Sequence, residues 1–291
     1  MIKHLNEAKK YKFDEFYTFY KDAEKEISLY KDNFKDKIIY MNCDNPKYSN
    51  FWKYFKNNFH EFQLKKIIST YYIENEQTYK TEYDGITETQ TQLKGNGDFR
   101  SDECVEILKQ SDLLITNPPF SLWSDYFNLL IKYNKKFLIL GTILKAGYSA
   151  VLEKLKNQEI WLGINEVKEF ELGEGYYKDF TTKADGKKYK KVACYWYTNI
   201  KTKHKRKDLF ERQKRKPQTY DGYDNIVNFD YINDIDLKYE HIGVPVTIFQ
   251  YDYEKYYTIE KKIKAKVNNK NKFQRIILKR KEPYTGSYFY S

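Results

Sequence analysis

The chain has 291 residues, 41% of them hydrophobic and 18% aromatic, with 52 Lys and Arg against 41 Asp and Glu for a formal net charge of +11. A chain of this length and apolar content fills one large α/β core or two smaller ones, which excludes wholesale disorder. No apolar run approaches the roughly 20 residues of a membrane span, and the lysines of the first residues lead into no apolar segment of a secretory signal, so a soluble, cytoplasmic protein is expected.

In chain order, the first predicted strand is Ile38 to Asn42, followed by a helix over Asn50 to Phe59 and a strand over Lys66 to Tyr72. Thr78 to Leu93, with Asp84-Gly85 at its middle, reads as an inserted hairpin. A helix over Asp102 to Lys109 has Ser101 as its N-cap and acids in its first turn, where the helix dipole favours them. Leu113 to Thr116 is a strand, Leu122 to Tyr133 a helix, Phe137 to Gly141 a strand, Ser149 to Lys156 a helix and Ile160 to Leu162 a strand. Strands that are apolar on both faces and alternate with amphipathic helices predict an α/β fold around a mainly parallel sheet. After Gly163 the alternation stops. Glu166 to Lys191 is rich in Gly, Lys and Tyr with a turn signal at Asp185-Gly186, Val192 to Thr198 gives one more strand at the antiparallel end of the sheet, and a last strand is expected at Phe273 to Leu278. A boundary near Ile200 divides a core of residues 1–200 from a smaller, basic region of residues 201–291.

The charge is unevenly distributed. Lys201 to Pro217 holds nine basic and two acidic residues, and Lys261 to Lys281 holds ten basic and no acidic ones, leaving the rest of the chain at −6. A compositional bias spread over the whole chain would not confine the positive charge to two C-terminal stretches, and such stretches suit a polyanion bound through phosphate neutralisation. Cys43, Cys104 and Cys194 are widely spaced and no histidines cluster near them, so neither a disulfide framework nor a metal site is expected.

The most informative octet is Leu113 to Phe120, a buried strand that ends in Asn117-Pro118-Pro119-Phe120. Function in open α/β sheets concentrates at such strand ends. Two prolines fix the backbone and remove two N–H donors, leaving outward-pointing carbonyl acceptors with nothing local to bond, beside the Asn117 side chain. Two convergent acceptors can hold both hydrogens of a planar amino group, and Phe120 can lie against the ring that bears it. The other reading of the tetrad is a proline turn with a packed ring.

At these residues the sequence resembles the EcoRI-type adenine-specific DNA methyltransferases, which use S-adenosylmethionine. The resemblance runs through Asp14 to Thr18, Tyr40 to Pro46 with Ser49 to Phe51, Gly97 to Ser101, Asn117 to Leu122, Ile160 to Gly163 and Gly243 to Thr247. It implies a Rossmann-like methyltransferase sheet with a smaller C-terminal target-recognition region, and a catalytic Asn117-Pro118-Pro119-Phe120 acting on a flipped-out adenine. It implies that Asp44 meets the methionine end of the cofactor, with Pro46, two residues on, a further cofactor-binding residue. Asp98 and Phe99 would grip its adenine, and Phe16, Tyr17 and Thr18 would close over it. The stretch Asn45-Pro46-Lys47-Tyr48 departs from the glycine-rich turn usual at that point. The resemblance implies duplex DNA, whose contacts the basic stretches can supply; Lys203, Lys205, Arg206, Arg212 and Arg215 are the candidates, since Arg pairs with guanine and Lys neutralises phosphate. A monomer paired with a restriction endonuclease is expected. Methylation of RNA adenine or of a protein amide, and an inactive nucleic-acid-binding relative, are the alternatives.

Overall fold

The computed structural model describes residues 16–173, 180–209 and 218–283. The chain divides into two compact units, with breaks after Thr142, Ile164 and His204. The elements of the first are β1 (Phe16–Tyr17), α1 (Tyr20–Ile27), β2 (Ile38–Met41), α2 (Asn50–Asn57), β3 (Lys66–Ser69), β4 (Tyr79–Tyr83), β5 (Glu88–Gln92), α3 (Asp102–Gln110), β6 (Leu113–Thr116), α4 (Trp123–Lys132) and β7 (Lys136–Thr142). Then follow α5 (Ser149–Lys156), which lies in the second unit, β8 (Trp161–Leu172), β9 (Thr181–Thr182) and β10 (Lys188–Thr198). Among the described residues no helix is long and apolar enough to cross a membrane.

The larger sheet has the order β1-β8-β10-β7-β6-β2-β3-β4-β5, with β9 paired to β10. Its centre, β7-β6-β2-β3, is parallel, while β10 joins β7 and β4 joins β3 in antiparallel sense. The first of the four parallel strands in the chain, β2, therefore lies between the second, β3, and the third, β6. Chain direction across the sheet reverses between β2 and β6, and the crevice at the carboxyl ends of those strands is where such sheets bind ligands.

The parallel strands are as apolar as burial on both faces demands: all four residues of β6 are buried, as are Ile39, Tyr40 and Met41 of β2. Helix α2 starts because the Ser49 hydroxyl accepts from the amides of Phe51 and Trp52 at 3.1 and 3.2 Å, and it buries Phe51, Trp52, Tyr54 and Phe55. Helix α3 is capped by Ser101, as its sequence predicts. Helix α4 is seated by Trp123, whose indole N–H donates to the Leu140 carbonyl at 2.7 Å.

Two stretches depart from the sequence expectation. The strand expected at Ile160 to Leu162 continues to Leu172, and β10 begins at Lys188, so much of the polar stretch from Glu166 to Lys191 is strand. Val167, Phe170 and Leu172 are buried while the acids beside them are bonded: Lys187 meets Glu171 at 2.7 Å and the Tyr195 hydroxyl meets Glu166 at 2.8 Å. The second unit holds a five-stranded sheet of which only part of one strand was predicted. Its strands are β11 (Gln218–Tyr220), β12 (Tyr223–Asn228), β13 (His241–Pro245), β14 (Tyr257–Val267) and β15 (Lys270–Arg280), in the order β11-β12-β13-β15-β14. The lysine-rich stretch from Lys261 to Lys281 is thus most of a β14–β15 hairpin. Its turn is Asn268-Asn269, with φ of 49° and 61°, a conformation asparagine tolerates, and both amides donate to the Asp221 carboxylate at 3.1 and 2.9 Å.

Gly141 of β7 shows how tightly the helix that follows the Asn-Pro-Pro-Phe tetrad is seated: a Cβ added there would lie 2.5 Å from the buried Trp123 Nε1. Gly141→Ala should lower the stability of the protein by about 1–3 kcal/mol, read as a lower urea midpoint with an unchanged slope.

Candidate active site

At the carboxyl ends of β2 and β6 lies an open cavity of about 230 Å³, bounded by both strand ends and by β1. Asp44 follows β2 and is buried. One carboxylate oxygen accepts from the Ser49 hydroxyl at 2.7 Å, the other from the Thr116 hydroxyl at the end of β6. Its amide donates to the Thr70 carbonyl at 3.1 Å, and its carbonyl accepts from the Ser69 hydroxyl, both just past or at the end of β3. One residue thus ties three parallel strands together. Burial pushes its pKa up to about 6, against the opposing effect of the Thr116 and Ser49 hydrogen bonds. No lysine or arginine lines this cavity among the described residues.

The glycine-free turn after Asp44 is closed by asparagine. The Asn45 side chain accepts from the Lys47 amide at 3.0 Å, and its carbonyl accepts from Tyr48 and Ser49 at 3.0 and 2.8 Å, which carries the chain directly into the cap of α2. Asn45, Tyr48 and Ser49 line the cavity; Pro46 shapes the turn but does not line it.

Asn117 follows β6. Its Nδ2 donates to the Phe16 carbonyl at 2.7 Å, while its Oδ1 is buried and has no partner. The amide orientation is therefore set by the N-terminal strand, and the acceptor end is left for a donor that the protein does not supply. Pro119 also lines the cavity, but its carbonyl accepts from the Leu122 amide at 3.1 Å. The expectation that both proline carbonyls stay without local partners is corrected: Pro119 is used by the short 3₁₀ turn Phe120–Leu122, leaving Pro118 for the role. The Phe120 ring is stacked on Phe16 with centroids 5.0 Å apart and planes at 22°, and Phe170 meets it edge-on at 6.1 Å.

Phe16, Tyr17 and Thr18 all line the cavity. The strand β1 is held to β8 in the registers Phe16 to Leu172 and Tyr17 to Glu171, and the Thr18 carbonyl accepts from Asn50 at 2.8 Å. Asp98 and Phe99 line the cavity too. The Asp98 carboxylate accepts from the amide, Nε and Nη2 of Arg100 at 2.8, 3.0 and 2.7 Å. The buried Phe99 ring meets Tyr126 edge-on at 5.0 Å. Just before them, Gly97 has φ of +76°, and a Cβ there would lie 1.9 Å from the Tyr71 carbonyl, so only glycine lets this loop close against the end of β3.

The structure thus brings together every site residue expected in the core except Pro46, Pro118 and Phe120, which adjoin the cavity without lining it. Asn42, Ser49 and Gly97 stand within the stretches that carry the resemblance, but the sequence reading assigns them no role. A polar residue closing an apolar strand, a serine two residues before an aromatic helix face, and a glycine directly before Asp98 were the available signals.

The basic candidates stand apart from one another in their surroundings. Lys203 is exposed and meets Asp32 at 3.3 Å, and Lys205 is exposed. Arg206 is largely buried and engaged by Asp252 at 3.2 Å and Glu254 at 2.8 Å. Arg212 and Arg215 lie outside the described residues.

The family model described as adenine-specific methyltransferase EcoRI matches residues 4–286. The chain is 37% identical to the Type II methyltransferase M.EcoRI of Escherichia coli over 321 aligned positions, covering 95% of this chain and 96% of that protein. It is 36% identical to the Type II methyltransferase M.MgeORF184P of Mycoplasma genitalium and 34% identical to the Type II methyltransferase M.MpnI of Mycoplasma pneumoniae, each over 84% of this chain and 81% of the relative. No solved structure matches.

The Asp44 carboxyl should titrate near pH 6 in a carbon-detected NMR experiment, and Thr116→Val should move that midpoint upward by removing a hydrogen bond to the charged form. Because the folded pKa lies above the ordinary value of 3.8, the folded chain binds the proton more tightly than the unfolded one. Stability from this group is complete below about pH 4 and is lost as pH rises through about 6, a loss that Asp44→Asn should abolish.

Proposed function

The chain belongs to the adenine-specific methyltransferase EcoRI family, and from that premise we propose that it transfers a methyl group from S-adenosylmethionine to the exocyclic amino group of an adenine flipped out of duplex DNA. The observation that carries the reading is the Asn117 amide, with its donor end bound to the Phe16 carbonyl and its acceptor end buried without a partner.

The cavity suits the cofactor. Its carboxylates, Asp44 and Asp98, match an α-ammonium and an adenine amino group, Asp98 being oriented by Arg100, and the buried Thr18 hydroxyl and Asn42 Nδ2 have no partner among the described residues. When bound, S-adenosylmethionine supplies a methyl group on a sulfonium centre. Asp44 holds the ammonium, Asp98 accepts from the adenine amino group and Phe99 packs against its ring, with β1 covering the site.

The remaining work falls to the tetrad. Asn117 Oδ1 and the Pro118 carbonyl accept the two hydrogens of the target amino group, which draws its nitrogen towards sp³ geometry and frees the lone pair for attack. No base has to remove a proton first, since the nitrogen sheds it after methylation. Phe120, wedged between Phe16 and Phe170, presents a ring held in a fixed plane for the extruded base.

Extruding the base costs a few kcal/mol, offset by contacts to the rest of the duplex. Lys203 and Lys205 are exposed for phosphate, as are Lys264 and Lys266 of β14. Arg206, committed to Asp252 and Glu254, serves first to brace the region that follows the first unit's last strand. Arg212 and Arg215, outside the described residues, are proposed as further DNA contacts on the ground of their charge in the sequence. A partner endonuclease for the same DNA site, action as a monomer and a cytoplasmic location belong to the same proposal.

Incubation with tritiated S-adenosylmethionine and, separately, unmethylated duplex DNA, RNA and protein extract should label DNA at adenine N6; label in RNA alone would refute the DNA assignment. Asn117→Ala should lower kcat by about a hundredfold or more while cofactor binding, measured by calorimetry, changes little. Cofactor affinity should fall about tenfold for each pH unit below about 6, as Asp44 becomes protonated and can no longer pair with the ammonium. DNA affinity should drop steeply with salt, and replacing Lys264 and Lys266 by Gln should make that dependence shallower.

A further inference from the structure

We infer that Asn42 is a binding residue of the cavity, donating from its Nδ2 to the methionyl carboxylate of the cofactor, and that Tyr126 is the positioning residue that aims it. The inference rests on the proposed cofactor and adds a residue to which neither the motif nor the family resemblance gives a role.

Asn42 is the residue directly after β2, only 1% exposed, and lines the cavity two positions before Asp44. Its Oδ1 accepts from the Tyr126 hydroxyl, itself fully buried on α4. That bond assigns the two ends of the amide: the carbonyl end is spent within the protein, and Nδ2 is left buried with no partner. An unmet buried donor is costly, and such groups persist where a ligand completes them.

The class of acceptor follows from the surroundings. The α-ammonium and α-carboxylate of an amino acid share one carbon, so a ligand whose ammonium sits at Asp44 carries its carboxylate close by. That carboxylate must be met by neutral donors, because no lysine or arginine lines the cavity among the described residues. The Asn42 amide is such a donor, next to Asp44 in the same strand end and fixed in orientation. Tyr126 lies one turn into the helix that starts just beyond the Asn-Pro-Pro-Phe tetrad, and its ring also packs on Phe99. The same side chain therefore supports the proposed adenine-stacking ring and the proposed carboxylate donor.

The test is calorimetric and needs no turnover. The full-length protein and its Asn42→Ala, Asn42→Asp and Tyr126→Phe variants are titrated with S-adenosylmethionine and, separately, with its decarboxylated analogue, which keeps the ammonium and the adenosine. Asn42→Ala should weaken binding of S-adenosylmethionine by about ten- to a hundredfold and leave binding of the analogue close to that of the unaltered protein. Asn42→Asp should weaken the first at least as much, since it sets a carboxylate against a carboxylate, and Tyr126→Phe should weaken it less than either. Equal losses for both ligands, or none in any variant that melts like the parent, would overturn the inference while leaving the cofactor assignment intact. Failure of the unaltered protein to bind S-adenosylmethionine would instead refute that assignment.

Discussion

A single buried carboxylate organises the site. Asp44 is reached by a hydroxyl from the cap of α2 and another from the end of β6, and its own main chain is bonded to residues at the end of β3. Each contact alone is an ordinary hydrogen bond. Together they fix the spacing of three strand ends at the point where the sheet reverses direction, which is the spacing of the cavity itself. The same burial that makes these bonds necessary raises the carboxyl pKa, so structural role and capacity to hold a cation are set by one environment.

Most of the core was legible because burial on both faces leaves a strong signature. The strand Leu113–Thr116 and the helix Ser149–Lys156 have the predicted bounds, and the four central strands and the Ser101 cap follow from apolar runs and capping chemistry. What escaped was strand whose polar residues are satisfied across the sheet. Glu166, Glu169 and Glu171 read as loop residues in one dimension but each directly precedes a buried residue, Val167, Phe170 and Leu172, and Tyr195, Lys183 and Lys187 answer them in turn. The β14–β15 hairpin escaped for a related reason: lysine at every second position looks like a charged tail unless the apolar residues between are known to pack.

The candidate site shows the same division. The Asn-Pro-Pro-Phe tetrad stands out in the sequence because its chemistry is local, and the Asp98-Phe99 pair only through the family resemblance; Asn117, Pro119, Asp98 and Phe99 line one cavity. The partners that set the orientation of the site's side chains do not stand out, because they come from far along the chain: Phe16 for Asn117, Tyr126 for Asn42, Thr116 for Asp44. Charge was legible in amount but not in availability. Arg206 stands in a basic run, yet its guanidinium is held by Asp252 and Glu254, acids more than forty positions away.

The bond from Asn117 to Phe16 is made to a main-chain oxygen, and that has an evolutionary consequence. A carbonyl is present whatever side chain the residue carries, so drift in side-chain identity at position 16 leaves the polarity of the amide intact. An insertion or deletion would act differently. Shifting the two-residue pairing of β1 with β8 by one position would keep a main-chain oxygen in that place but turn every side chain to the other face of the sheet, taking the Phe16 ring off Phe120. At position 16 the amide is thus insensitive to which side chain stands there, while the Phe120 ring depends on both the aromatic side chain and the length of the chain before it.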